Sequence, residues 1–385
     1  MTVKTVSILG STGSIGTSTL DLISGHSDAF RVVALSAGKN LERLTLQAKK
    51  FKPDFVAIAD ETQGAALREA LSGTGIETGA GESAVLEAAS RATDLSVAGI
   101  VGMAGLKPVL QSIQSSKAVA IANKEPLVAA GAFVLDAARK HGTKILPVDS
   151  EHNAVFQVFD QENRAAIRRI ILTASGGPFR TWTKDQMETA TPAQAIAHPN
   201  WSMGAKISVD SASMMNKALE VIEAHYLFDM PPEKIDVLIH PQSVIHSMVE
   251  YEDGSVLAQL GAPDMRTPIA HALAWPARMA TTGERLDFTK MKDLTFEEPD
   301  LSRFPALRLA YECLTAGPAA CIALNAANEV AVAEFLAGKI PFGGVVRTVE
   351  NVVGQCDSGN VQSLDDVFTL DNRARQMAAS LAKQQ

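Results

Sequence analysis

Thr5-Val-Ser-Ile-Leu-Gly10-Ser-Thr-Gly13-Ser-Ile-Gly16 is the stretch that decides the fold. Residues 5–10 are β-branched and apolar, which predicts a strand, and a helical pattern begins at about Ile15. Glycines between a strand and a helix let the backbone turn tightly and approach a pyrophosphate, which the helix N-terminal N–H groups then face. The spacing is G-x-x-G-x-x-G rather than G-x-G-x-x-G, a variant found among NADP-preferring proteins. Alone, such a loop is equally a turn packing a strand on a helix. Its place after a strand and before a helix is the context that a dinucleotide site requires.

The alternation continues outward from this loop. Strands are expected at 32–37, 55–60, 96–102, 118–123 and 144–150, with helices between them, including Leu41 to Phe51. This rhythm predicts right-handed βαβ units and a mostly parallel, Rossmann-type sheet over residues 1–150. From 151 to 275 the pattern becomes α+β. A strand at 168–175 runs into a Gly/Pro-rich flap at about 176–205. One helix is expected over 211–228, a strand at 236–240, and a hairpin turning at Asp253-Gly254. Residues 276–300 read as a linker and 301–385 as a helical bundle. The expected fold class is α/β, with an N-terminal Rossmann-type parallel sheet, a central α+β domain and a C-terminal helical bundle.

Composition narrows the function. The 385 residues carry a net charge of −8, against the basic balance common in nucleic-acid binders. The three cysteines, Cys313, Cys321 and Cys356, show neither C-x-x-C nor zinc-like spacing, so a disulfide framework and a thiolate zinc site are not expected. No apolar run approaches the roughly 18–20 residues of a membrane span. The opening MTVKTVSILG lacks the features of a signal peptide. The expectation is a cytoplasmic protein with no nucleic-acid or membrane partner.

The second strand runs into Gly38-Lys39-Asn40, where an NAD-binding strand usually ends in an acid that holds ribose hydroxyls. A 2′-phosphate is repelled by a carboxylate and attracted by a cation, so NADPH is expected rather than NADH. A solvated lysine at a helix start is the alternative. Asp149-Ser150-Glu151 closes the last strand of the first domain. Read as extended, it points two carboxylates to one side, which is costly unless a cation sits between them. Two exposed acids on a loop are the alternative. Asn216, Lys217 and Glu220 share one side of the predicted helix. A third carboxylate beside an anion-binding pair suits a phosphorylated substrate lying across a metal. All-oxygen ligands favour Mg²⁺ or Mn²⁺ over zinc or copper. An ordinary intrahelical salt bridge also explains Lys217 and Glu220. Ser175 precedes Gly176-Gly177 and offers a hydroxyl to phosphate oxygens. His198-Pro-Asn-Trp201-Ser-Met203-Gly204 has the length and composition of a lid, although His198 alone is as well explained by a structural role.

GSTGSIG, AGKN, ANKEP, PVDSEHNA, TASGGPF, HPNWSMG, SVDSASMMNKALE, IHPQSVIHSMVEY and GAPDMRTPIAHALAWP occur in this order. Together, over essentially the full length, they resemble the 1-deoxy-D-xylulose 5-phosphate reductoisomerase family of the non-mevalonate isoprenoid pathway. The resemblance implies a homodimer joined largely through its central domain, using NADPH with Mg²⁺, Mn²⁺ or Co²⁺. It implies rearrangement and reduction of the sugar phosphate to 2-C-methyl-D-erythritol 4-phosphate, by retro-aldol cleavage and recombination or by a direct α-ketol shift.

The same resemblance assigns Thr12, Gly13, Ser14 and Ile15 to the pyrophosphate, and Gly38, Lys39 and Asn40 to the adenosine phosphate. Asn123, Glu125 and Gly204 become further cofactor contacts. Asp149, Glu151 and Glu220 become the metal ligands. Lys124, Ser150, Glu151, Ser175, His198, Ser211, Asn216, Lys217 and Glu220 become substrate contacts, with Trp201 and Met203 lying over the substrate. Lys124, Glu151 and His198 are the catalytic candidates, the general base being Glu151 or Lys124 with a metal-bound water. Ala218 and Asn200 stand where many members carry glycine and threonine. Two competing readings are another NADP-dependent dehydrogenase, which in its aspartate-semialdehyde form needs a nucleophilic cysteine, and a nucleotide-sensing module with no use for three carboxylates.

Overall fold

The computed structural model describes residues 3–201, 203–356 and 359–384. The chain gathers into two compact units. The first comprises Met1–Pro126, Phe133–Asn153 and Met265–Gly283, and the second Leu127–Ala132, Ala154–Asp264 and Glu284–Gln385.

In the first unit, β1 (Lys4–Leu9), β2 (Phe30–Ala37), β3 (Phe55–Ile58), β4 (Glu77–Ala80), β5 (Thr93–Ala98), β6 (Ser116–Ile121) and β7 (Lys144–Pro147) form one sheet. Its order is β4-β3-β2-β1-β5-β6-β7 and every pairing is parallel. The expected Rossmann-type sheet is therefore present, with one strand more than the sequence patterning indicates. β4 is Glu-Thr-Gly-Ala at the sheet edge, too short and too polar to register as a strand. The order reverses between β1 and β5, and ligands of open α/β sheets bind at such a switch point. There Gly10 lies against Gly99: at φ +83°, a Cβ on Gly10 would fall 2.7 Å from the Gly99 carbonyl oxygen.

The helix Leu41–Phe51 begins where expected because Asn40 caps it, its side-chain oxygen accepting from the Arg43 N–H at 3.1 Å. Lys49 and Lys50 in the last turn complement the dipole. The helix Arg266–Ala274 follows the hairpin in sequence but belongs to this first unit, tied to β1 by Lys4 Nζ donating to the Leu273 carbonyl at 2.8 Å.

On that helix, burial pushes the His271 imidazole down to about 4. Asn153 Nδ2 reaches its Nδ1 at 3.1 Å, and an amide nitrogen can only donate, so this ring nitrogen accepts. Unfolding frees the ring to take up a proton near its ordinary value of about 6.5, so the unfolded state binds the proton first as pH falls. Stability is therefore lost between about pH 6.5 and 4. The melting temperature is expected to fall over this window, and less steeply in His271→Gln. Equal slopes for the two proteins would assign the acid loss elsewhere.

The second unit holds a mixed sheet of β8 (Ile167–Ala174), β9 (Ile235–Ile239), β10 (Ile245–Tyr251) and β11 (Val256–Leu260), in the order β11-β10-β8-β9. The β10–β11 hairpin is antiparallel, as expected, with Gly254 supplying φ +84°. The helices Ala306–Ala316, Pro318–Leu336, Phe342–Gln355 and Leu364–Ala382 form the C-terminal helical region. Pro318–Leu336 is the one helix among the described residues long and apolar enough to span a membrane, contrary to the expectation that no run comes close. It is buried along an unbroken stretch from Ala319 to Asn328, which is the behaviour of a core helix.

Two local expectations need correction. The segment 211–228 is not one helix. Ala205–Ala212 ends, Met214 takes φ +60°, and Met215–Phe228 begins. Ser213 causes the break, because its hydroxyl oxygen accepts from the Met215 N–H and donates back to the preceding turn. The flap is also not all loop. It contains the short helices Lys184–Glu188 and Pro192–Ile196, each opened by a reciprocal Thr/Gln capping box. Its start is anchored by Phe179, whose ring packs on Trp182 and edge-on against Phe342 at 4.4 and 4.9 Å between centroids. Arg303 adds donations to the carbonyls of Arg180 and Trp182 at 2.8 and 2.9 Å.

Candidate active site

In the first unit the glycine loop opens the helix Ser14–Ser24. No side chain caps that helix at Gly13 and no acid occupies its first turn, so its positive end is left for an anion. Gly16 is required by packing, since a Cβ there would fall 2.4 Å from Ser11 Cα and 2.5 Å from the Gly10 carbonyl oxygen. Gly13 is not. Its Cβ would meet nothing nearer than the Gly10 oxygen at 3.4 Å, so the space beside it remains open.

Sequence reasoning overlooks two residues that hold this loop. Gln47 exchanges two hydrogen bonds with Ser11: its Oε1 accepts from the Ser11 hydroxyl and its Nε2 donates to the Ser11 carbonyl, each at 2.8 Å. Arg43 donates to the Thr12 carbonyl at 3.2 Å. Their spacing after Asn40, at i+3 and i+7 on one helix, is the signal that could have found them. Lys39 and Asn40 are exposed beside the loop, and Asn40 spends its side-chain oxygen on the cap.

Asn123, Lys124 and Glu125 follow β6 and are buried. Both amide atoms of Asn123 lack a hydrogen-bond partner among the described residues. A buried amide with four unmet hydrogen bonds is costly, and a ligand that meets them repays the cost. Lys124 Nζ lies 2.6 Å from Asp149 Oδ2, the two side chains being 6% and 12% exposed.

The expected extended geometry of Asp149-Ser150-Glu151 is not found. Asp149 sits at the N-cap of the helix Ser150–Val158, its carbonyl accepting from the Asn153 N–H at 2.8 Å, and Glu151 is in the first turn. Ser150 Oγ donates to Glu151 Oε2 at 2.5 Å. Acidic side chains at a helix start are favoured by its dipole, and this local preference ends the strand at Pro147.

In the second unit, Lys217 and Glu220 pair on the helix Met215–Phe228, both almost wholly buried at 3% and 0% exposure. Asn216 Nδ2 donates to Glu220 Oε1 at 2.5 Å. One buried carboxylate thus gathers an amide and an ammonium, which an exposed intrahelical pair does not do.

Ser175 and His198 also meet. The backbone N–H groups of Asn200 and Trp201 converge on His198 Nδ1 at 3.2 and 3.0 Å, so that nitrogen accepts and the ring proton sits on Nε2. Nε2–H then donates to Ser175 Oγ at 2.9 Å, and the Gly177 N–H donates to the same oxygen at 3.1 Å. Both lone pairs of Ser175 are occupied, which leaves its O–H to donate outward, as a phosphate oxygen requires. His198 therefore orients Ser175. Trp201 and Met203 are half-buried, and Trp201 lies 5.9 Å from the His246 ring between centroids. Ser202, in the same motif, lies outside the described residues. Gly204 is the exposed, uncapped N-terminus of Ala205–Ala212, the helix that carries Ser211.

Burial pushes the thiol of Cys313 far up and that of Cys321 up to about 12. Neither supplies a thiolate near neutral pH, which removes the cysteine-dependent dehydrogenase reading for both.

Family models for 1-deoxy-D-xylulose 5-phosphate reductoisomerase match residues 6–131, and models of its C-terminal domains match 145–228 and 260–377. The chain is 55% identical over 378 residues to the 1-deoxy-D-xylulose 5-phosphate reductoisomerase of Zymomonas mobilis, covering 98% of this chain and 97% of that one. It is 56% identical over 379 residues to the Rhodospirillum centenum protein of the same name, covering 98% and 94%. Among solved structures, the Zymomonas mobilis reductoisomerase in complex with NADPH superposes with a TM-score of 0.93 at 52% identity, over 100% of both chains. A DOX-P reductoisomerase in complex with NADPH, fosmidomycin and magnesium superposes at 0.94 with 42% identity, over 99% and 98%.

Proposed function

The chain belongs to the 1-deoxy-D-xylulose 5-phosphate reductoisomerase family, and from this we propose the chemistry of its own residues. The reaction takes 1-deoxy-D-xylulose 5-phosphate, NADPH and a proton to 2-C-methyl-D-erythritol 4-phosphate and NADP⁺. The observation that carries the reading is an uncapped, acid-free glycine loop together with three carboxylates, Glu220 buried and Asp149 and Glu151 half-buried, that each gather donors.

Ser14 and Ile15 present N–H groups to the pyrophosphate, with Thr12 and Gly13 beside them, the Gly13 N–H being donated to the Gly10 carbonyl. Gly38, Lys39 and Asn40 take the adenosine end, and Asn123, Glu125 and Gly204 the rest of the cofactor. The orphaned Asn123 amide and the open space at Gly13 and Gly204 fit a bound dinucleotide. Asp149, Glu151 and Glu220 would hold the divalent metal, an all-oxygen set suited to Mg²⁺ or Mn²⁺. When bound, the metal supplies Lewis-acid polarisation of substrate oxygens and NADPH supplies hydride.

Ser175, Ser211, Asn216 and Lys217 bind the substrate phosphate, with Ser175 aimed by His198. Remote phosphate binding contributes orientation without touching the reacting carbons. Lys124 and Ser150 contact the substrate beside the carboxylates, and Glu151 or Lys124 moves the proton. Trp201 and Met203 exclude water.

We assign residues 1–150 to cofactor binding, 151–275 to catalysis with the flap at 176–205, 276–300 to a linker and 301–385 to a supporting bundle. A cytoplasmic homodimer without membrane or nucleic-acid partners completes the proposal. In support of the dimer, β11 is a sheet edge carrying exposed Val256 and Leu257, a surface that tends to pair.

The testing assay follows NADPH oxidation with 1-deoxy-D-xylulose 5-phosphate. Turnover is expected to stop with EDTA and return with Mn²⁺ or Mg²⁺. Oxidation that persists in EDTA would defeat the metal-dependent reading. Lys39→Ala is expected to narrow the NADPH/NADH preference by about two- to fivefold, the size of one lost exposed ionic contact. An unchanged ratio would move the 2′-phosphate to other groups.

A further inference from the structure

Asp210 is adjacent to Ser211 on the helix Ala205–Ala212, and its carboxylate is buried at 1% exposure. Burying a carboxylate is costly unless it is neutralised and hydrogen-bonded. Lys206, one turn earlier, lies 2.7 Å from Asp210 Oδ2. The other oxygen, Oδ1, accepts from Asn328 Nδ2 at 2.8 Å, and Asn328 is fully buried in the core helix Pro318–Leu336. A residue 118 positions away thus sets the depth of the helix bearing Ser211. The other side of that helix is set by Gly177, where a Cβ would fall 2.5 Å from the Ser211 carbonyl oxygen. Ser175 and Ser211 are therefore held together by the absence of a side chain on one face and a buried hydrogen bond on the other.

We propose that Asn328, acting through Asp210, is a positioning residue for the substrate phosphate. The inference rests on the function proposed above. Asn328 touches no reacting group. Its amide fixes the register of the helix Ala205–Ala212, and with it the distance between two phosphate-binding hydroxyls. A helix free to shift by a fraction of an ångström loses phosphate affinity while the reacting carbons keep their surroundings.

The experiment compares the full-length wild type with Asn328→Ala and Asn328→Leu, neither of which can donate to Asp210, and with the swapped pair Asp210→Asn/Asn328→Asp. In the swap the amide and carboxylate exchange places, so the hydrogen bond runs in reverse and one negative charge remains near Lys206. In each single variant the KM for the sugar phosphate is expected to rise about tenfold, with kcat within about twofold and the KM for NADPH unchanged. The inhibition constant of inorganic phosphate against the sugar phosphate is expected to rise in parallel, and the swap to recover most of both. Where Asn328→Ala does not fold, Asn328→Leu, which keeps the volume and removes the donor, carries the test. A lower melting temperature with an unchanged KM would overturn the proposal. So would a kcat loss without a KM rise, or a swap no better than the single variants. A wild type that turns over the sugar phosphate alongside variants with unchanged KM defeats this inference alone. A wild type inactive with the sugar phosphate defeats the function and this inference with it.

Discussion

Glu220→Gln is expected to lower kcat by at least about a hundredfold, the scale of losing a ligand from a catalytic metal site, while NADPH binding stays near normal. The side chain is fully buried, with Asn216 donating to one oxygen and the Lys217 ammonium paired with the other. Glutamine preserves the shape and removes the charge. A hard divalent cation then loses an anionic oxygen, and Lys217 loses its buried counter-charge. Cofactor binding is unaffected because the glycine loop belongs to the first compact unit and Glu220 to the second. The measurement is kcat across a Mg²⁺ or Mn²⁺ titration, with NADPH affinity followed by its fluorescence. A near-normal kcat would remove Glu220 from the metal set. Equal loss of NADPH affinity would point to general damage.

Gly16→Ala and Gly13→Ala are expected to fail in different ways. At Gly16 the added carbon meets backbone at 2.4 and 2.5 Å, and backbone yields only by opening the loop. The cost is about 1–3 kcal/mol for forced overpacking, and the Gln47–Ser11 exchange is strained with it. Gly16→Ala should therefore lower the melting temperature and raise the KM for NADPH together. At Gly13 the nearest atom is 3.4 Å away, so the apoprotein should melt normally. The new methyl instead occupies the side from which a pyrophosphate approaches, and the KM for NADPH should rise by about tenfold or more. If Gly13→Ala bound NADPH normally, the close approach would lie elsewhere in the loop. If Gly16→Ala melted normally, the loop would be softer than its contacts indicate.

Much of the architecture was legible from periodicity. The helix Leu41–Phe51 was legible from its amphipathic spacing, and the Asn40 cap, acidic first turn and basic last turn agree with it. The hairpin announced itself by Asp253-Gly254 between two alternating runs. β4 was not legible, because a four-residue edge strand with a glycine offers neither alternation nor an apolar run. The break at Ser213-Met214 was hidden because a serine hydroxyl competing with the helix leaves no mark on hydrophobic spacing. At the site, the residue types and local spacings pointed to a phosphorylated cofactor and to carboxylates with a metal. The extended reading of Asp149-Ser150-Glu151 failed because a helix starts there and its dipole favours the acids.

By itself, then, the sequence determined what depends on neighbours a few residues apart: the strand–glycine–helix start, the helix faces, and the gathering of Asn216, Lys217 and Glu220 on one turn. The tertiary structure alone decided what depends on partners brought together by packing. It placed β1 beside β5, so that Gly10 meets Gly99 at the switch point. It brought His198 Nε2 onto Ser175 Oγ across 23 residues, and so turned the Ser175 O–H outward. It joined Asp210 to Asn328 across 118 residues. Helical and strand periodicity carry no information at those separations, where only the closing of a packed core selects which buried polar groups meet.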